Sequence, residues 1–266
     1  MPSSNTSAAP SVTERYTRHV ALRHERLYGR GYQGPGSEEV FEALAARVDL
    51  RAGARLLDVG SGLGGDSFRL AQRFGLSVVG LDAAPDMTAI CQERAQEYDS
   101  LDVSFVSGDI RTVDLRSESF DVVWTRDCGL YFPVPEKPRM WSRIYQLLKP
   151  GGQVLLTDYS RGRTDASARF EEHLTTTGQH PVAISEYTAI VESVGFADVT
   201  AEDRTEDLLG SLLRERKRLV DEEADFLTDF SRAEYDTVLD RWNKKIAWCE
   251  SGELSWTVLT ARRPSL

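Results

Sequence analysis

The sequence predicts an α/β fold in which a mostly parallel sheet is covered by helices on both faces. Three observations carry this reading. Short apolar runs recur at residues 55–59, 77–81, 103–107, 120–125 and 152–157. Amphipathic segments near 66–74, 85–98, 138–148 and 185–194 separate them. A cluster of glycines follows the first run directly. Strand and helix periods in alternation require crossover connections, and these place helices on the faces of a parallel sheet.

Taken in order, residues 1–12 are rich in Ser, Ala and Pro and lack the basic and apolar regions of a signal peptide, so they read as a disordered tail. Between 13 and 50, Tyr16, Leu22, Leu27 and Tyr28 are spaced for one or two short amphipathic helices. A glycine-rich loop at 29–36 follows, and Ser37 opens a helix near 37–46. This stretch is expected to form a helical lid and the first helix of a core that spans 51–266. Lys149-Pro150-Gly151-Gly152 is a helix stop and turn ahead of a strand. After Val199 the pattern changes. Residues 205–248 are charged and helical in spacing, and 254–261 read as a last strand. A helical insertion at about 205–250 is therefore expected to cover the carboxyl edge of the sheet.

Composition narrows the partners. The chain has 266 residues, 41% hydrophobic and 28% charged, with net charge −10 and pI about 5.0. Such a surface repels nucleic acid unless basic residues cluster. The densest basic run, Arg214, Arg216, Lys217 and Arg218, is interrupted by Glu215 and reads as a solvated helix face. No apolar run reaches the roughly 18 residues of a membrane span. Cys91, Cys128 and Cys249 stand far apart, which argues against a disulfide framework or a metal site and suits a reducing compartment, the cytoplasm.

The cofactor signal is the run Leu56-Leu57-Asp58-Val59-Gly60-Ser61-Gly62-Leu63-Gly64-Gly65-Asp66. A strand, a glycine turn and a helix start bring backbone N–H groups close to a ligand. The acid Asp58 before the glycines suits a cationic or amino-acid-bearing cofactor better than a pyrophosphate, which it would repel. Asp82 ends the second strand about 20 residues on, where an acid accepts from a ribose diol. Gly108-Asp109-Ile110 follows the third: Asp109 suits an adenine amino group and Ile110 the ring face. Singly, Asp82 also reads as a helix cap and Asp109 as a turn residue. Together they converge on one crevice.

Residues 56–157 resemble the S-adenosylmethionine (SAM)-binding core of class I methyltransferases, through Leu-Leu-Asp-Val-Gly-Ser-Gly-Leu-Gly, Gly-Leu-Asp, Gly-Asp-Ile and Leu-Leu-Lys-Pro-Gly-Gly in order. That resemblance implies a Rossmann-like sheet of seven strands, the last antiparallel. More of the chain is similar to the phosphoethanolamine (phosphobase) N-methyltransferases: Tyr16-Thr17, Tyr28-Gly29-Arg30-Gly31-Tyr32, Arg126-Asp127, Thr157-Asp158-Tyr159, Trp242-Asn243-Lys244-Lys245 and the strand bearing Trp256. The resemblance implies that Tyr16, Gln33, Gly34, Asp58, Gly60, Gly62, Asp82, Asp109, Ile110 and Arg126 hold SAM. It places Tyr16, Asp127 and Tyr131 at the chemistry, and Asp127, Tyr159 and Lys245 around the acceptor. No metal is implied.

The sequence departs from that group at two places. Tyr131 stands where the group has its catalytic His, and His173, Thr177 and Gln179 replace a Tyr/Arg/Tyr phosphate grip. Loss of an Arg fork and two phenols predicts a carboxylate-bearing or zwitterionic acceptor rather than phosphoethanolamine. Arg161, Arg163 and Lys244 are candidates to compensate. A Tyr with an ordinary pKa of about 10 is a poor base for an ammonium, so His19 and His24 are candidate substitutes. Trp242, Trp248 and Trp256 read as core rather than as a cation cage. The expected activity is methyl transfer to the amine nitrogen of a small polar or zwitterionic acceptor, amino acid or phosphobase-like. S-methylation of a thioether amino acid such as methionine is the alternative. From other classes, a non-catalytic nucleotide-binding protein, a macromolecule-modifying protein or a dinucleotide oxidoreductase remain.

Overall fold

The computed structural model describes residues 11–34 and 40–265. The expected tail lies outside them up to residue 10; Ser11 caps a short helix, α1 (Val12–Arg15), which therefore starts one residue inside the stretch read as disordered. Thr17 caps α2 (Arg18–Tyr28). The helix expected from Ser37 begins, within the described residues, as α3 (Phe41–Ala45); Ser37 itself is outside them.

The core then runs β1 (Arg55–Val59), α4 (Gly65–Phe74), β2 (Ser77–Asp82), α5 (Pro85–Ala95), β3 (Val103–Ser107), β4 (Phe120–Arg126), α6 (Lys137–Leu147), β5 (Leu148–Arg161), α7 (Ala168–Thr177), α8 (Ile184–Ser193) and β6 (Ala197–Asp203). Three helices follow, α9 (Thr205–Asp221), α10 (Glu223–Asp229) and α11 (Arg232–Ser251), before β7 (Leu254–Arg262). The seven strands form one sheet in the order β3-β2-β1-β4-β5-β7-β6. β7 is antiparallel to both its neighbours, and the remaining paired strands are parallel. This is the seven-stranded sheet with its last strand reversed that the resemblance implies.

Strand composition explains the sheet's layers. β1 alternates nothing: Leu56, Leu57 and Val59 are all buried, as a central strand covered on both faces requires. Leu56, Val122, Trp124 and Leu155 pack on one face with α2, α3, α9 and α11. Leu57, Val123, Val154 and Leu156 pack on the other with α6 and α8.

Three features differ from the sequence reading. β6 is absent from the apolar runs, because it is an edge strand whose alternating apolar residues Ala197, Val199 and Ala201 are small and at most partly buried, a weaker signal than the runs of the central strands. β5 is longer than expected, since the Lys149–Gly152 turn signal is accommodated inside it: Gly151 adopts φ 80° and the pairing register slips between Phe120 and Val122. α7 was missed because Thr175, Thr176 and Thr177 are poor helix formers, and only Phe170 and Leu174 are buried on its inner face. Phe170 stacks edge-on against Trp248 of α11 at 5.0 Å, which ties α7 to the helical block. Phe170→Ala is expected to lower stability by about 3–5 kcal/mol, read from urea unfolding, because that contact is α7's main anchor.

Candidate active site

Because β2, β1 and β4 are parallel neighbours, their carboxyl ends open on one crevice, with β1 at the point where the strand order reverses. One cavity there is lined by Asp58, Gly60, Gly62, Asp82, Asp109, Ile110, Arg126, Asp127 and Tyr131. From the N-terminal segment Tyr16, Gln33 and Gly34 close it. Every residue expected to hold the cofactor, and the three expected at the chemistry, thus lies on one cavity. Val12, Tyr32, Leu63, Arg111, Cys128 and Phe132 line it as well and were not foreseen.

The glycine turn works differently from the expectation. The N–H groups of Gly60 and Ser61 donate to the Leu81 carbonyl at 2.7 and 3.1 Å. That of Gly62 donates to Asp82 Oδ2 at 2.9 Å. These amides are engaged by the protein, so the turn serves a ligand by close backbone approach and by aligning Asp82. A side chain is excluded there: a Cβ on Gly60, at φ 75°, would stand 2.8 Å from Cys128 Cβ.

Each carboxylate has its own tether. Asp58, buried at the end of β1, accepts from Ser67 Oγ at 2.6 Å. Burial, with the neighbouring Asp66, pushes it up to about 7. Asp82 also accepts from the Ala84 N–H at 2.8 Å, so the cap-like contact and the cavity position coexist in one residue. Burial raises it. Asp109 is clamped by Arg111, whose Nε lies 3.0 Å from Oδ1; burial alone would raise Asp109, but the Arg111 hydrogen bonds and charge hold it below the usual range.

Asp127 follows β4 with φ 50°, a left-handed conformation costly for a non-glycine residue. Its N–H donates to the Thr157 carbonyl at 2.8 Å, while Trp256 Nε1 and Thr157 Oγ1 both donate to its Oδ1, at 2.8 and 3.1 Å. Arg126, beside it in the chain, pairs with Asp66 at 3.2 Å. Trp256 is buried as expected for core, yet its indole N–H reaches the site, a role its sequence position did not signal.

Opposite Asp127, Tyr16 Oη donates to Tyr131 Oη at 2.7 Å with the rings edge to face. Burial raises the Tyr16 phenol well above its ordinary value. Gln179 Nε2 lies 3.5 Å from Tyr131 Oη. Tyr159 and Lys245 stand behind this cavity. Tyr159 is directly opposite Trp256 across the β5–β7 ladder, so the two rings share a face, and Lys245 Nζ donates to Tyr159 Oη at 3.0 Å. A continuous wall therefore leads from Asp127 through Trp256 and Tyr159 to Lys245.

The remaining candidates separate. Arg161 pairs with Glu171 and Lys244 with Asp240, both toward solvent, and Arg163 is exposed; none of the three compensates for the missing grip. His19 is exposed, bound to Glu234 and not among the residues that line the cavity, and this position removes it as a base. His24 is buried, and burial followed by Arg241, Arg23 and Lys245 pushes it down to about 3, so it is neutral and a poor proton acceptor. His173 packs on Trp248 at 4.7 Å and is lowered to about 4, chiefly by burial. Thr177 Oγ1 turns back to the His173 carbonyl. Among the described residues no cluster of His, Cys, Asp and Glu could hold a metal ion, and no helix is long and apolar enough to cross a membrane.

The short turn that carries Tyr131 (Gly129–Tyr131) is latched from behind. Lys137, fully buried, donates from Nζ to the Gly129 carbonyl at 2.6 Å. Asp158 accepts from Tyr187 Oη at 2.9 Å and from the backbone of Leu130.

Residues 56–152 match the methyltransferase domain family. Over 91% of its length the chain is 35% identical to phosphoethanolamine N-methyltransferase 1 of Arabidopsis thaliana, covering 49% of that protein. It is 27% identical to phosphoethanolamine N-methyltransferase of Plasmodium falciparum over 87% of this chain and 86% of that one. Among solved structures, phosphoethanolamine N-methyltransferase 2 of Haemonchus contortus, in complex with phosphomonomethylethanolamine and S-adenosylhomocysteine, superposes with TM-score 0.91 at 30% identity, over 94% of this chain and 59% of that one. The chain thus spans about half the length of the first of these relatives.

Asp158 yields a pH-dependent test. Burial outweighs Lys137 and Tyr187 and pushes it up to about 7. An unfolded aspartate titrates near ~4, so across that window only the folded form holds the proton, and stability from this group falls as pH rises. His24 and His173, depressed on folding, act in the opposite sense. The Asp158→Asn variant isolates the carboxyl: the wild-type urea midpoint is expected to drop relative to the variant's between about pH 4 and about pH 7 and to level off above that. A constant difference would show that Asp158 is ionised throughout.

Proposed function

From the premise that this chain carries a class I methyltransferase domain and is similar to the phosphoethanolamine N-methyltransferases, we propose that it transfers a methyl group from SAM to the amine nitrogen of a small phosphobase. One observation supports this above the rest: carboxylates at or just after the carboxyl ends of four strands (Asp58, Asp82, Asp109 and Asp127) line one cavity. Such a cavity suits a ligand that brings an ammonium, a sulfonium and a ribose diol, and it repels a pyrophosphate. Asp58 suits the cationic portion, Asp82 the diol, and Asp109 with Ile110 the adenine.

When bound, SAM supplies a methyl carbon activated by its sulfonium, and a free amine displaces the thioether in line. The chain's own residues align and desolvate that encounter. Asp127 orients the acceptor nitrogen, with Thr157 and Trp256 fixing the carboxylate from the far side. The Tyr16–Tyr131 pair closes the cavity above it and excludes water. The phenols and Asp127 stand at the nitrogen and no imidazole does, so the ammonium gives its proton to solvent before the cavity closes, and the free amine is the form that attacks. The sequence alone favoured a carboxylate-bearing acceptor; the relatives' names weigh toward a phosphobase, and Lys245 beyond Tyr159 stands where an anionic end would lie. The three cysteines are unpaired thiols, which accords with the cytoplasm.

Two tests follow from this reading. With labelled SAM, phosphoethanolamine or its monomethyl form is expected to be methylated in preference to ethanolamine, glycine, sarcosine and methionine; methylation of methionine alone would overturn it. Asp127→Asn should then lower kcat/KM by about 100-fold or more while leaving S-adenosylhomocysteine affinity within a few-fold. The second concerns the base. Activity is expected to climb with pH well above neutrality, and Tyr131→His should shift that rise downward toward the imidazole range of about 6.5. An unchanged pH profile in Tyr131→His would remove Tyr131 from the proton's path.

A further inference from the structure

α11 carries Arg241 and Lys245 one turn apart on one face. Like charges at that spacing destabilise a helix unless something negative lies between or before them. Both side chains turn inward, and the partners that hold them are neutral. Arg241 Nη1 stands 3.2 Å from His24 Nε2, and Lys245 Nζ donates to Tyr159 Oη at 3.0 Å.

The Arg241 contact fixes the state of His24. A guanidinium only donates, so Nε2 must accept, and in the neutral ring the proton sits on Nδ1. That Nδ1–H is buried and meets no acceptor among the described residues. A buried donor left unmatched is costly, and its natural complement is an anionic oxygen. His173, on the opposite side, is also depressed by Lys245 and Arg241 after burial, so the same two cations keep both imidazoles uncharged. The carboxylates facing Lys245 are Glu215 and Asp127, and each already accepts an indole N–H, from Trp242 at 3.0 Å and from Trp256 at 2.8 Å.

Resting on the function proposed above, we propose that Arg241 and the Nδ1–H of His24, together with Lys245, grip the phosphate of the acceptor, replacing the Arg and phenols that His173, Thr177 and Gln179 do not supply. A phosphomonoester dianion matches two cations and a neutral donor, where a carboxylate would leave one cation uncompensated. The grip joins α2 of the N-terminal segment to α11 of the helical block. A phosphate seated there therefore draws together the two elements that flank the crevice.

The test uses the full chain. Arg241→Gln is expected to raise KM for phosphoethanolamine about 10- to 100-fold, to shrink the preference over ethanolamine by a similar factor, and to retain S-adenosylhomocysteine binding; Arg241→Lys should recover part of the loss. An Arg241→Gln protein that binds S-adenosylhomocysteine normally and keeps its phosphoethanolamine KM within about threefold overturns the proposal. Should Arg241→Gln lose S-adenosylhomocysteine binding, His24→Phe gives the same readout by removing the Nδ1 donor. If the wild type does not methylate phosphoethanolamine, the underlying function fails. In that case calorimetry with phosphocholine on the S-adenosylhomocysteine complex still decides the grip: binding lost in Arg241→Gln supports it, and no binding to the wild type overturns it.

Discussion

Repulsion among carboxylates gathered at one edge of the sheet is the constraint from which the rest of the site follows. Parallel pairing delivers Asp58 and Asp82 to neighbouring strand ends, and the turns after β3 and β4 add Asp109 and Asp127. In a partly dry crevice each negative charge raises the cost of the next. The structure answers with a separate donor for each: the Ser67 hydroxyl, the Gly62 and Ala84 amides, the Arg111 fork, and the paired indole and hydroxyl on Asp127. Of these tethers only Arg111 brings a charge, and the others fix direction without cancelling the field; Asp58 in particular is pushed up to about 7 by burial and the neighbouring Asp66. A cation arriving in the cavity relieves the crowding, so selectivity for a cationic cofactor is built into the cost of forming the empty site.

How much of this was legible in the sequence depended on whether a residue's role was local. The glycine turn, Asp82 and Gly108-Asp109-Ile110 announced themselves because strand, turn and helix are contiguous in the chain, and all of them line the cavity. The central strands were legible by their apolar runs, whereas β6, an edge strand with only Val199 and Ala201 partly buried, was not. Partnerships across the chain were hidden. Nothing near Asp127 in sequence points to Trp256, and nothing near Arg126 points to Asp66. Arg161, Arg163 and Lys244 were attractive as basic residues near acceptor motifs, but Arg161 and Lys244 pair with Glu171 and Asp240 and Arg163 is exposed, whereas helix phase turns Arg241 in. A spacing of four residues from Arg241 to Lys245 was the available signal, and it acquires meaning only once α2 is seen to face it.

The helical block owes its place to the ladder. β6 and β7 are antiparallel neighbours, with Asp203 opposite Thr257, and β5 meets β7 with Arg161 opposite Leu254. The chain therefore leaves β6 and enters β7 at the same carboxyl edge, where a short hairpin would suffice. Three helices occupy that connection instead, which sets α11 beside Tyr159. With α7 anchored to it through Phe170 and Trp248, and α2 packed on it through Tyr28 and Trp242 at 5.4 Å, the block forms a wall of the crevice.

The resulting charge pattern bears on orientation. Carboxylates lie at one end of the wall and Arg241 and Lys245 at the other, with Trp256 and Tyr159 between them. A zwitterion entering with its amine toward Asp127 meets opposite charges at both ends; reversed, it would press its anion against four carboxylates and its ammonium against two cations. Rejection of the wrong orientation thus comes from repulsion as much as from attraction. The same arrangement accounts for the neutral imidazoles. His24 and His173 are kept neutral first by burial and then by the neighbouring Arg241 and Lys245, so protonation is suppressed where a third positive charge would bring no further gain. A histidine near the nitrogen would have faced carboxylates and been driven toward its protonated form. In the proposed reaction, with Tyr131 in that position, the cost of deprotonating the amine falls on the amine itself and on solution pH, while the chain would contribute alignment between two fixed charges.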